Sequence, residues 1–412
     1  MAKSGDNRLK RTTFKLNALL DITLAINENV STDELIRRFE KLLVDDLSIG
    51  KVMMIKLGEQ WNCLLNSGFS TNFFDSLNIK NDLLTFNEIS YITSEPHHFP
   101  EPVDIVIPVT DKDNPISYVL IGDIEEEGHM VSPIIKHVRY IQTLTNIITV
   151  AIENKRLFKE SLQQEALKRE MELASRMQNM LIPKNELLPS NDNIHMSAFY
   201  HPHFEVGGDY YDVLELNGNE IGFCIADVSG KGISAAILMS NFQANLQALF
   251  TEEISLENLV TKLNKRVMDS ANGEKFITLF IAKYNYNTRE LKYVNAGHNP
   301  PLMYHIKTKE MVQMKNGTVG MGMLDDLPFV NEQSIILDEP SKLFCYTDGL
   351  VEVLDETGVE FGTDKLEVEL KNADNIENNI NTIIAKQKIL EGSASIFDDI
   401  SIIGADFPGI RK

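Results

Sequence analysis

A chain of 412 residues divides into two or three domains at about 150 residues each, which excludes a single small module. Its hydrophobic fraction of 43% and charged fraction of 24% lie near globular averages, so wholesale disorder and fibrous repeats are excluded as well. With 39 Lys and Arg against 60 Asp and Glu, the net charge of −21 repels phosphate backbones and anionic headgroups, and neither nucleic-acid nor membrane-surface binding is expected as the main function.

Residues 14–45 read as two helices. Phe14, Leu16, Leu19, Leu20 and Ile26 form a helical stripe, and Ser31-Thr-Asp-Glu34 has capping-box spacing ahead of Leu35, Phe39, Leu42 and Leu43. Strands are expected at Lys51–Leu57, Val103–Val109 and Ser117–Asp123, separated by polar loops. From Ser132 the pattern is helical again, with Ile141, Leu144, Ile148, Ala151 and Ile152 at three- and four-residue spacing. Helix pair, small antiparallel sheet and closing helix, with the opening LLDITLAINENVSTDELI, resemble a GAF sensor domain over residues 14–152. An α+β domain that only dimerises stands beside the ligand-sensor reading.

Residues 153–183 are dense in Glu, Lys, Arg and Gln with no Gly or Pro before Pro183, so the closing helix is expected to continue as a linker. Phe158, Leu162, Ala166, Leu173, Met177 and Met180 make a short coiled-coil seam that Arg169 interrupts. A parallel homodimer through sensor and helix is expected.

After Asn193 short strands follow one another: Ile194–Tyr200, Asp209–Leu216, Glu220–Asp227, Phe276–Tyr284, Glu290–Ala296, Leu302–His305, Ser334–Leu337, Lys342–Tyr346 and Ile400–Ile403. Asn217-Gly218-Asn219 and Asn285-Tyr286-Asn287 supply hairpin turns. Ile221–Ala226 and Leu343–Thr347 are nearly apolar on both faces, which implies two antiparallel sheets packed together with helices outside. Helices are expected at Ser234–Thr251, Leu256–Met268 and Thr363–Leu390, and the segment Ile194–Phe407 is expected to fold on its own.

Asp209 in GGDYYD, Asp227 in ADVSGKG, Asp348 in YTDGL and Asp398 in FDDIS each stand where a strand meets a turn. A carboxylate at the rim of a core is costly unless paired or bound to a cation, and several rims drawn together make a divalent-metal site. Oxygen donors without a Cys/His cluster favour Mg2+ or Mn2+ over zinc.

GGDYYDV, IADVSGKGISAAILMS, VNAGHNPPLMY, LFCYTDGLVEV and FDDISII, in this order, resemble the metal-dependent protein serine/threonine phosphatases of the PPM superfamily. The branch is that of sporulation stage II protein E and the stress-response sigma-factor regulators. The resemblance implies a phosphatase α-β-β-α sandwich over residues 190–408. It also implies two Mn2+ or Mg2+ ions and hydrolysis of phosphoserine or phosphothreonine on a signalling protein of the anti-anti-sigma-factor kind. By matching position, Asp227 bridges both ions and the Val228 carbonyl and Asp209 hold one of them. Asp348 and Asp398 hold the other, while Asp212 and Asp399 stand outside the ligand set. ASRMQNMLIP (174–183) resembles the regulatory helix preceding this core.

The arginine with which eukaryotic relatives hold substrate phosphate has no clear equivalent; His201, His203 and Lys231 are the candidates. His298 in NAGHNPP reads as the anchor of a turn ahead of a general acid. Gly207-Gly208-Asp209 also matches the start of a cyclic-dinucleotide synthase signature, but Tyr210-Tyr211 departs from it. The alternative within the family resemblance is a catalytically weak pseudophosphatase acting as a scaffold. Cys63, Cys224 and Cys345 lie far apart with no metal-ligand spacing. The basic N-terminus lacks an apolar core and no transmembrane run occurs, so a cytoplasmic location is expected.

Overall fold

The computed structural model describes residues 2–92, 99–111, 114–124, 137–315, 317–354, 358–391 and 396–409. The chain divides into two compact units, Met1–Glu165 and Ala166–Lys412.

In the first unit, α1 (Ala2–Asn27) and α2 (Thr32–Lys41) precede a π-helical turn at Leu42–Asp46. Ser31 caps α2 by accepting from the Glu34 N–H at 3.2 Å, as the sequence spacing predicts. The strands are β1 (Lys51–Leu57), β2 (Trp61–Ser67), β3 (Ser90–Tyr91), β4 (Ile105–Asp111) and β5 (Asn114–Gly122), with the short helices α3 (Phe73–Ser76) and α4 (Ile79–Asp82) between β2 and β3. They pair antiparallel in the order β2-β1-β5-β4-β3.

Interior strand β1 is buried on both faces because its alternate residues serve two cores. Val52 and Met54 pack with Ile22, Phe39 and Ile141, whereas Met53 and Ile55 pack with Phe69, Phe73 and Tyr118. The expected strands therefore form, with ends shifted by a few residues, and helices flank the sheet in the expected order. Edge strand β2, interrupted by Asn62 and Asn66, carries no clear apolar alternation and escaped the sequence reading. His97 and His98, which the sequence places in a polar loop ahead of Pro100, and the expected helix start at Ser132 lie outside the described residues.

Helix α5 (Val138–Asn179) is unbroken from the first unit into the second. Phe158, Leu162, Leu173 and Met177 on it are exposed.

The second unit holds two antiparallel sheets. β7 (Tyr210–Asn217), β8 (Glu220–Val228), β9 (Ile277–Asn285), β10 (Glu290–Ala296) and β13 (Gln333–Ile336) build the first. β6 (His195–His201), β11 (Leu302–His305), β12 (Glu310–Gln313), β14 (Ser341–Tyr346) and β15 (Ile400–Phe407) build the second. Along β14, Leu343 and Cys345 join the core shared with the first sheet. Phe344 and Tyr346 point the other way, against Leu366, Ile376 and Ile380. Helices α6 (Ile233–Leu249) and α7 (Leu256–Ala271) cover the first sheet, and the short α8 (Asp348–Val351), α9 (Gly362–Leu370) and α10 (Ile376–Lys386) belong to the second, giving the expected α-β-β-α layering.

One expected helix, Thr363–Leu390, is in fact two. Asn375 caps α10 by accepting from the Asn378 N–H at 2.8 Å. Buried Lys342 donates to the side-chain oxygens of Asn372 and Asn379, each at 2.8 Å. These polar partners stabilise a break that helical periodicity alone does not reveal.

Ile182 and Leu188, which precede β6, are buried in the core of the second unit. A fragment starting at Ile194 should therefore unfold at lower denaturant than one starting at Glu170, by about 2–5 kcal/mol of stability. Equal midpoints and slopes would place both residues outside the cooperative core.

Candidate functional site

The registry of the two sheets brings four strand ends to one rim. Tyr210 pairs with Ala226, which sets Asp209, just before β7, beside Asp227 near the end of β8. Tyr346 pairs with Ile402, which sets Thr347-Asp348 against the Asp398-Asp399 approach to β15. Thr347 joins the halves: its hydroxyl accepts from the Ser401 N–H at 2.9 Å and donates to Asp209 Oδ2 at 2.8 Å.

The Asp399 carboxylate accepts from the His203 N–H at 2.8 Å and the Gly208 N–H at 2.6 Å. This segment approaches so closely that side chains are excluded around it. A Cβ on Gly207 would lie 2.4 Å from Asp399 Oδ2, and one on Gly349 would lie 2.1 Å from the Asp399 carbonyl. Gly208 lies against the Val228 carbonyl, 2.9 Å from where its Cβ would stand. Gln178, buried in the last turn of α5, grips the same loop through both amide atoms. It donates to the Gly207 carbonyl at 2.7 Å and accepts from the Gly207 N–H at 3.0 Å.

The acids repel one another. Burial and the charges of Asp348, Asp398 and Asp399 push the Asp227 carboxyl up to about 7, although Asp209 lies within hydrogen-bond reach of it. Burial, then Asp227 and Asp399, hold Asp209 well above the ordinary range, with Thr347 opposing. Burial and Asp398 raise Asp348, and burial followed by Asp348 and Asp398 raises Glu352. Oxygen donors whose negative charge is costly in this setting fit hard divalent cations. Among the described residues, however, no group of three or more His, Cys, Asp or Glu side chains is arranged to hold a metal ion. The acids stand as two neighbouring pairs, Asp209 with Asp227 and Asp348 with Asp398.

Lys231 faces the second pair, its ammonium 2.8 Å from Asp398 Oδ2. Asp212 is not at this rim. Three residues beyond Asp209, it has the opposite parity along the strand and turns to α6. There it accepts from the Tyr210 hydroxyl at 2.5 Å and from Gln247 at 2.9 Å. His298 is buried, its Nδ1 paired with the Thr278 hydroxyl at 2.9 Å. Burial pushes its imidazole down to about 4, which suits a neutral anchor rather than an acid. The His203 ring packs edge-on against Phe204, and His201 stacks with Phe199. Thr347, Gln178 and Glu352 escaped the sequence reading. The only sequence signals were proximity to YTDGL for Thr347 and Glu352 and the ASRMQNMLIP string for Gln178, because the Asp209 partner of Thr347 lies 138 residues away.

Residues 217–408 match the family described as Stage II sporulation protein E (SpoIIE), a stretch that includes Asp227, Asp348 and Asp398 and begins beyond Asp209. Phosphoserine phosphatase RsbU of Bacillus subtilis (strain 168) is 28% identical over 195 residues, covering 47% of this chain and 57% of that protein. Phosphoserine phosphatase RsbP of the same organism is 27% identical over 191 residues, covering 45% and 46% respectively. The chain thus spans about half the length of the curated relatives it matches. Among solved structures, the SiaA-PP2C domain of Pseudomonas aeruginosa shares the fold, with a TM-score of 0.52 at 18% identity, covering 60% of this chain and 99% of that chain. The second unit thus shares the fold of that PP2C domain, and its sequence is similar to the SpoIIE family over residues 217–408.

Gly349→Ala should destabilise the fold by more than about 2 kcal/mol, since the added methyl overlaps backbone that Thr347 and Gly208 hold in place. A chemical-denaturation midpoint like that of the parent would contradict the close approach.

The pH response of metal-free protein follows from Asp227. Its folded value, about 7, lies above the ordinary 3.8. Its contribution to stability is therefore complete below about pH 4 and lost as pH rises through about 7. Melting temperatures of chelator-treated protein should fall across that window, and added Mn2+ should flatten the decline. A rise with pH in the chelated protein would be the contrary result.

Proposed function

We propose that the chain is a phosphoprotein phosphatase that removes phosphate from serine or threonine of a regulatory protein, of the anti-anti-sigma-factor kind, in the cytoplasm. The observation that carries the reading is the convergence of four strand ends on one acidic rim, where burial and then mutual repulsion push Asp227 up to about 7. The matches to named phosphoserine phosphatases support it.

In this reading Asp209, Asp227 and the Val228 carbonyl would hold one Mn2+ or Mg2+ ion, and Asp227, Asp348 and Asp398 would hold a second. Bound divalent ions lower the pKa of water and neutralise phosphoryl charge, so no protein nucleophile is required. The thiols agree, since burial pushes Cys224 and Cys345 well above their ordinary range and leaves no reactive thiolate. Thr347 orients Asp209, and the Asp399 carboxylate ties the glycine loop against β15.

The first unit acts as a GAF-like sensor, and α5 carries its state to the site. Support comes from the unbroken helix and from the two hydrogen bonds by which Gln178 holds Gly207. The exposed Phe158, Leu162, Leu173 and Met177 then form the seam of a parallel homodimer. Among the described residues no helix is long and apolar enough to cross a membrane.

A scaffold without turnover is the alternative reading. Hydrolysis of a phosphoserine peptide with Mn2+ separates the two. Asp227→Asn and Asp348→Asn should each lower turnover by about 100-fold or more with the melting transition retained. A wild-type chain that folds and binds its partner but releases no phosphate would establish the scaffold. Gln178→Ala should change basal turnover at saturating Mn2+, and an unchanged rate would leave α5 as a spacer.

A further inference from the structure

Lys231 lies on the loop that leads from Asp227 into α6, between Gly230 and Gly232, whose φ values are 81° and 76°. Its ammonium stands 2.8 Å from Asp398 Oδ2 and donates to the Phe397 carbonyl. Its charge also acts on Asp348 and Glu352, opposing the burial and acidic neighbours that raise both. The lysine therefore faces the acidic pair itself.

An ammonium and a divalent cation cannot both sit at bonding distance from one carboxylate oxygen without strong repulsion. We propose that Lys231 is an internal counter-ion of the Asp348–Asp398 pair. It holds Asp398 while that half of the site is empty of metal and gives Asp398 up when a divalent ion arrives. The inference rests on the metallophosphatase reading and adds a residue that sets how readily the site loads.

The pair suits such an exchange. Its side chains are 41% and 33% exposed, which keeps the ion pair weak and water at hand for the departing ammonium. Both partners of the ammonium, the Asp398 carboxylate and the Phe397 carbonyl, lie on one short segment, so a single swing of the lysine releases both. Asp348, Asp398 and Glu352 repel one another in its absence, so the lysine stabilises the rim before metal is present.

Two readouts should consequently move in opposite directions in Lys231→Met, which keeps the length of the stem and removes the charge. Metal-free protein should melt at lower temperature. Mn2+ should bind the full-length variant about three- to tenfold more tightly by titration calorimetry, and this advantage should shrink at high salt. Lys231→Arg should retain the wild-type affinity. A lysine that only supports the fold would lower stability without tightening Mn2+ binding, and one that serves only the substrate phosphate would leave Mn2+ affinity unchanged; either result overturns the proposal. Wild-type protein that neither binds Mn2+ nor hydrolyses phosphoserine brings down the phosphatase reading as well. Wild-type binding with an unchanged variant affinity brings down the counter-ion alone.

Discussion

Repulsion among acids drawn to one rim is the constraint around which the second unit is built. Asp209 is almost fully buried, and Asp227 is raised by burial and then by Asp348, Asp398 and Asp399. Burying charge beside like charge is unfavourable, so the rim persists only because its surroundings over-determine it. Two five-stranded sheets, each locked by antiparallel registry, supply that rigidity. Each acid stands at or beside a strand end, where the backbone cannot relax far without breaking the ladder.

The neighbouring groups read as responses to the same constraint. Thr347 donates to Asp209 while its oxygen accepts from the Ser401 N–H, so one hydroxyl registers the two sheets against each other. Asp399 takes two backbone N–H donors, from His203 and Gly208, which fix its carboxylate against the glycine loop. Lys231 brings positive charge to the Asp348–Asp398 pair. The glycines at 207, 208 and 349 follow from proximity, since backbone segments meet where a Cβ would stand.

Gln178 extends this arrangement to the helix. Its amide matches both hydrogen-bonding groups of Gly207, the residue pressed between Asp399 and Tyr200. A displacement of the last turn of α5 would leave two buried backbone groups without partners and free the loop that holds Asp399. Coupling through so few bonds is compatible with a shift of about 1–3 kcal/mol between two states. The long exposed apolar face of the same helix is a place where another surface can set its position.

Local chemistry made much of this protein legible in its sequence. Alternating and doubly apolar runs located most of the strands of the second unit, because burial dictates residue type at every second position. The cap at Ser31 was readable from its spacing to Glu34, and the acidic rim from the placing of Asp209, Asp227, Asp348 and Asp398 at strand ends. Tertiary structure alone decided the rest. Edge strands Trp61–Ser67 and Glu310–Gln313 depend on a neighbour rather than on their own pattern, and the break before Ile376 depends on Lys342 from another strand. Whether Asp212 joined the rim turned on strand parity once Asp209 faced Thr347. The partnerships of Thr347 with Asp209, Gln178 with Gly207 and Lys231 with Asp398 bridge 138, 29 and 167 residues of chain. No local propensity encodes such pairs; they exist because two sheets with set registers bring distant backbone segments to one place.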